Sequence, residues 1–554
     1  MSTSARYLYA MLWRWPAWAV SMTAAALASG CVGDIGDGPP SGPSEAVEGV
    51  DPSTAIPRLS RREIEATISD VFGIVGAAER NLAADPKVAV NPATQAEEEV
   101  FDTLSATKTA SQVFVDGLES LAFEVARDFS ADKDAVDDLA GCVPSGTPDE
   151  ACLDAFIRNV GQRLWRRPLS DEEVAALIAT VAPLATDPAA AEDGHYVAVR
   201  GAIASLIVSP ELVHRTEIGT PVGDGVVELE GPELIARLAY FLWGTAPTPE
   251  LLALASGGVP SEEDVAALVD DMIEDPRGQR QMRVFHELWL RYTSLLVTDA
   301  ALAADMRAET DALVDRALDG ESGDWTTLVT SEETFVTPAL AAHYGLEVPT
   351  DPGWVSYDDK RMGVLSHGSF LSLSQTRLTE TLPSRRGAMI GRRLLCQEIL
   401  PPPPDVAIDM GVPVPEGACK SDAYEAHASG SCKGCHLAID GIGFGFERFD
   451  GLGRYREVEQ DNATCSIDGV GELFGAEFNG PREFVGANVD LISECAAQNL
   501  IRFATRSFRA SDAQLERMVT AFHDSGFDFA ALMRSVATDP SFRYRRDVVE
   551  GVMP

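Results

Sequence analysis

Along most of the chain, hydrophobic positions recur three and four residues apart with polar positions between them, the spacing of amphipathic helices. Ser60-Arg61-Arg62-Glu63 has the form of a capping box, with Ile64, Ile68, Val71 and Phe72 on one face behind it and Gly73 as the stop. A long helical region is expected from Glu97 to Phe129. Leu153, Phe156, Ile157, Val160 and Leu164 mark another helix, ended by Pro168, and Ser170 with Glu173 opens the next. Further helices are expected near 196–209, 232–243, 261–274, 279–292 and 305–318, with few and short strands. Trp165, Phe241, Trp243, Phe285 and Trp289 fall on apolar stripes and read as core. The expected fold is mainly α.

The pattern changes at about residue 355. A helix through Ile390, Leu394 and Leu395 ends at Cys396, before the stiff run Pro401-Pro402-Pro403-Pro404. Further on, Gly441, Gly443 and Gly445 alternate with Ile442, Phe444 and Phe446. In an extended chain this puts glycines on one face, where a flat ligand such as a porphyrin edge can approach closely. A bulged strand packed on the core fits the same alternation. Beyond Pro481 helices return at Phe484–Phe503, Ala513–His523 and Phe529–Val536.

The beginning of the chain has a different character. Arg6 and Arg14 precede an apolar run from Trp18 to Ala28, too short to cross a bilayer and laid out as a secretory signal. Ala28-Ser29-Gly30-Cys31 resembles a bacterial lipoprotein box, which makes Cys31 the candidate lipidation site; an ordinary signal peptide is the alternative. Residues 32–57, rich in Gly, Pro, Ser and Asp, suit a flexible tether. The expected organisation is a signal peptide at 1–31, a linker at 32–57 and helical modules at 58–140, 141–190 and 191–350. A module with its own chemistry follows at 355–475, and a C-terminal helical module at 480–554.

Charge and cysteines narrow the function. With 44 Lys+Arg against 86 Asp+Glu the net charge is −42, which argues against a nucleic-acid partner. In an oxidising compartment Cys142, Cys152, Cys396, Cys419, Cys465 and Cys495 are disulfide candidates. Cys142 and Cys152 are expected to pair locally, and the other four allow three connectivities. Cys432-Lys433-Gly434-Cys435-His436 is the attachment signature of a c-type haem. Two thiols on one side of a helical turn can form thioethers with the haem vinyl groups, and the adjacent His436 can ligate iron. Two other readings remain: a redox disulfide, or a zinc site built from Cys432, Cys435, His436 and His427. His427, Met410, His367 and Met389 are candidates for a sixth iron ligand.

The order of segments resembles the planctomycete cytochrome-like proteins, large secreted chains built from modules of unknown function. The likeness runs from about 57 to 545. It is carried by Arg58-Leu59-Ser60-Arg61-Arg62-Glu63, Leu164-Trp165-Arg166-Arg167-Pro168-Leu169, Ser209-Pro210-Glu211-Leu212-Val213-His214-Arg215 and Arg237-Leu238-Ala239-Tyr240-Phe241-Leu242-Trp243. Arg386-Gly387, Leu394-Leu395-Cys396, His427, Cys432, Cys435, His436, Ile439, Asp440, Gly443, Phe444, Glu447, Phe449, Asp450, Gly453 and Arg454 match the haem-like module, and Cys495 its C-terminal neighbour. Gly441 departs from the family, which usually has proline there. The resemblance implies a mainly helical, multi-module scaffold with a cytochrome-c-like module inserted before the last helical one.

The expected function is an envelope-anchored redox or electron-transfer protein with one covalent haem c. Its expected partners are a lipid membrane, reached through Cys31, and an unidentified redox protein; its expected location is the periplasm or outer membrane. The alternative is a metal-stabilised, disulfide-stapled surface scaffold or polysaccharide-associated protein. No G-x-S-x-G, H-E-x-x-H or P-loop pattern assigns a catalytic residue, so no enzymatic activity is claimed.

Overall fold

Helix ends form where short-range chemistry asks for them. Ser60 and Ser170 each accept a hydrogen bond from the backbone N–H three residues on, and Glu63 and Glu173 reach back to the cap N–H. Gly73 closes the first helix (Arg61–Phe72) at φ 69°, a left-handed conformation that favours glycine. The computed structural model describes residues 56–546, except 92–96, 105–107, 109–110, 187–193, 224, 320–323, 375–380, 400–413, 428–432 and 461. The signal peptide, Cys31, nearly all of the tether, the proline run, Met410 and Cys432 lie outside the described residues. Among those described there are twenty-two α-helices and four small antiparallel sheets, so the protein is mainly α. No described helix is long and apolar enough to cross a membrane.

One helix differs from expectation. The region from Glu97 to Phe129 is helical only over Gln112–Phe129, which starts at the Ser111 cap. Glu97–Glu99 is instead a strand paired with Val88–Val90. The Glu99 carboxylate is gripped by both arms of Arg393, at 2.7 and 2.8 Å, and meets Arg291 at 3.4 Å. These distant arginines hold an extended segment where local propensity favours helix.

The helices pack around two main apolar cores. One draws on residues between Leu59 and Ala246. The larger draws on residues from Phe101 to Phe542, including Phe241, Trp243, Phe285 and Trp289. Charged groups join distant parts of the chain. Arg506 pairs with Glu63, which is completely buried. Burial pushes that carboxyl up, but Arg506, Lys108 and Arg62 outweigh it and hold it at about 2. Glu217 accepts from Arg237, which also donates to the carbonyls of Phe542 and Tyr544. Strand Tyr544–Arg546 then pairs antiparallel with Val226–Glu228, Val227 facing Arg545.

Three disulfides are formed: Cys142–Cys152, Cys396–Cys495 and Cys419–Cys465. The expected local pair is present, and one of the three open connectivities is selected. Cys396–Cys495 fastens the end of the helix Pro383–Leu394 to the long helix Gly480–Thr505.

Candidate functional site

The haem-like motif opens a helix, Lys433–Phe444, with Cys435 and His436 in its first turn. Gly441 and Gly443 therefore sit in helix, and the extended reading of the glycine alternation is wrong. The glycines serve packing. A Cβ on Gly443 would lie 1.9 Å from the Pro383 carbonyl oxygen, and one on Gly387 would lie 1.7 Å from that of Ile439. Helices Pro383–Leu394 and Lys433–Phe444 thus cross with their backbones in contact, an approach only glycine permits. The other two glycines face the hairpin Val470–Leu473/Ala476–Asn479: Gly441 meets the Glu472 backbone and Gly445 the Phe478 ring. The face once expected to receive a flat ligand is filled by protein.

This crossing brings together the polar groups that matter most. His436 and Asp440 stand four residues apart, on one side of the helix. His436 Nδ1 donates to Asp440 Oδ2 at 2.9 Å. Ser384 Oγ, from the crossing helix, donates to Asp440 Oδ1 at 2.5 Å. Asp440 is only 7% exposed, so water competes little for its oxygens. The side chain of His436 is 19% exposed, and Leu437 beside it is 56% exposed.

A second node supports the helix from its far end. Glu447 is fully enclosed, accepting from Thr381 at 2.7 Å and Arg456 at 2.8 Å, with Lys420 at 3.4 Å. Burial alone would raise its carboxyl, but Lys420, Arg386 and Arg456 hold it below the usual carboxylate range. Arg386, wholly buried, donates to the carbonyls of Phe446 and Phe449 and so fixes the turn that leaves the helix. Cys419–Cys465 lies next to Lys420 and staples this side of the module.

The other candidates are more dispersed. His427 ends the helix Lys420–His427. Met389 packs in the larger core. His367 belongs to a separate buried cluster: its Nδ1 bonds Thr310 at 2.8 Å and its Nε2 lies 3.6 Å from Glu309. Burial, helped by Arg361, pushes that imidazole down to about 3, so it is neutral at ordinary pH. Among the described residues, the one grouping of three metal-type side chains is Cys419, Glu459 and Cys465, but its sulfurs are already bonded to each other. Ser384 is the contributor that sequence reading did not single out. The spacing of His436 and Asp440 was visible once the segment is taken as helix; the partner from the crossing helix was not.

Comparison with protein families matches three models. Residues 152–217 match PSD5 (DUF1595), 229–346 match PSD4 (DUF1592), and 361–459 match PSCyt3 (DUF1588), each described as a protein of unknown function. The chain carries three modules of the planctomycete cytochrome-like kind. The crossing, the His436–Asp440–Ser384 chain and the Glu447 node all fall within the PSCyt3 module. No curated protein and no solved structure matches.

The module signatures turn out to mark buried arginine contacts. Arg166 of the PSD5 module donates to the carbonyls of Leu164, Leu212 and His214, tying two of its signature segments together. Arg386 plays the corresponding part in the PSCyt3 module, whereas Arg237 of the PSD4 module reaches out of its module to the Phe542 and Tyr544 carbonyls.

Proposed function

We propose that this protein carries one covalent haem c on Cys432, Cys435 and His436 and serves electron transfer at the bacterial cell envelope, exported and anchored through a lipid on Cys31. The observation that carries this reading is the Cys-x-x-Cys-His run, whose His436 lies in the first turn of a helix and gives its Nδ1 hydrogen to a buried carboxylate. The donor set fits the group. A metal-bound histidine characteristically gives its other ring N–H to a carboxylate or carbonyl, as His436 Nδ1 does to Asp440.

Bound haem supplies a one-electron iron couple. The chain's own residues do the rest. Cys432 and Cys435 tether, His436 binds, Asp440 orients its ring, and the Glu447 node with the glycine crossing keeps the helix in place.

The test is to express the mature chain in a bacterium with haem-c maturation and record the spectrum of the denatured protein. A haem that stays attached as a thioether adduct, and is lost in the double variant Cys432→Ala/Cys435→Ala, supports the reading. A colourless protein, with zinc or without metal, overturns it and leaves the disulfide-stapled scaffold.

A further inference from the structure

We propose that Asp440 and Ser384 act as a matched pair on His436: Asp440 fixes the imidazole as the Nδ1–H tautomer and raises its donor strength, and Ser384 limits that effect. This rests on the haem reading above for its electronic half; the tautomer half is argued from the His436–Asp440 and Ser384–Asp440 hydrogen bonds.

A carboxylate only accepts, so the 2.9 Å contact requires the proton on His436 Nδ1. In that tautomer the ring lone pair lies on Nε2. A carboxylate partner draws the Nδ1 proton toward itself and makes the ring a stronger donor, which favours the more oxidised metal. The effect depends on how much negative charge Asp440 has to spend. Ser384 donates to its second oxygen and takes up part of that charge. The cations Arg386, Arg456 and Lys420 pair with Glu447. The two hydroxyl and imidazole donors come from helices locked together by the Gly387 and Gly443 contacts, so the pair is held at fixed separation rather than found by chance.

The pair makes a signed prediction. Removing the anion weakens His436 as a donor, whereas removing the serine strengthens the anion. The haem midpoint potential should therefore rise in Asp440→Asn and fall in Ser384→Ala, with Asp440→Glu nearer to the parent than Asp440→Asn. A merely structural role would move all three variants together, or none.

Two measurements on the full mature chain decide it. In the haem-free Cys432→Ala/Cys435→Ala background, selective 15N-histidine labelling reads the ring tautomer, with His436 assigned by signal loss in His436→Gln. The Nδ1–H form should dominate and should give way to the Nε2–H form in Asp440→Ala. Should Asp440→Ala fail to fold, Asp440→Asn, of the same size, replaces it and should lose the strong preference. In the haem-loaded protein the midpoint potentials are then compared. A tautomer indifferent to Asp440 overturns the positioning role, and potentials that shift in the same direction for Asp440→Asn and Ser384→Ala overturn the balance. If the chain takes up no haem but its tautomer follows Asp440, the electronic half falls with the haem reading and the positioning role stands.

Discussion

Glu309 shows how one enclosed side chain shapes the stability of the whole. It is fully buried, accepting from Thr334 at 2.7 Å and Tyr344 at 2.8 Å, and its desolvation raises the carboxyl to about 7 even though Arg361 pulls the other way. Between its ordinary value of 4.5 and 7 the folded chain keeps a proton that the unfolded chain has released, so stability falls as pH rises through that window. His367 acts in the opposite sense: depressed to about 3, it binds a proton less readily than the unfolded chain, and its contribution falls as pH drops from 6.5 toward 3. Where the windows overlap the two slopes oppose each other. Glu309→Gln removes only one of them. Relative to the parent, the variant should gain on the order of 3 kcal/mol between about pH 5 and pH 8. Denaturant unfolding at the two pH values checks this, and an unchanged difference would refute it.

At the level of elements, the glycine crossing is the most demanding contact in the PSCyt3 module. Gly387→Ala would place a methyl group 1.7 Å from the Ile439 carbonyl oxygen, and no flexible side chain is there to give way. The helices must separate, losing the packing of Ile390 and Ile442, both completely buried. A loss of roughly 2–5 kcal/mol is expected. Thermal unfolding should show it, with Gly434→Ala, whose Cβ meets nothing within 4 Å, as the neutral control.

The same elements show what the sequence could disclose. Capping boxes at Ser60 and Ser170 were legible because every atom involved lies within four residues. Periodicity located most of the longer helices to within a few positions, but not Lys133–Ala140, Pro249–Ala255, Lys420–His427 or Lys433–Phe444. The alternation at Gly441, Gly443 and Gly445 misled because a two-residue repeat also arises when a helix touches different neighbours on different sides. Gly443 faces one helix, and Gly441 and Gly445, four apart, face a hairpin. Glu97–Glu99 misled because its partner Arg393 is 294 positions away. Disulfide connectivity was open for the same reason.

At the scale of the molecule, the described residues belong to one compact unit, and its cores do not follow the module boundaries. The PSCyt3 match stops at residue 459, yet Gly441 and Gly445 pack on the hairpin at 470–479, and Ile390, Leu394, Ile442 and Phe446 share a core with Phe484 and Trp289. Residues 361–459 expressed alone should therefore show helical far-ultraviolet dichroism without a cooperative melt. A sharp transition would show that this module folds by itself. The module is a unit of inheritance; the core is assembled from several of them.

The pairing of Tyr544–Arg546 with Val226–Glu228 has a consequence for synthesis. Arg237 finds its carbonyl partner at Tyr544, 307 positions downstream. At about 5–20 residues per second, the ribosome takes roughly 15–60 s to deliver it. During that interval the nascent chain holds a buried-to-be arginine and an unfilled apolar face, while the earlier core between Leu59 and Ala246 can already close. The first half can thus set while the second is still being made, and the long-lived intermediate is one whose open side a holding chaperone would recognise.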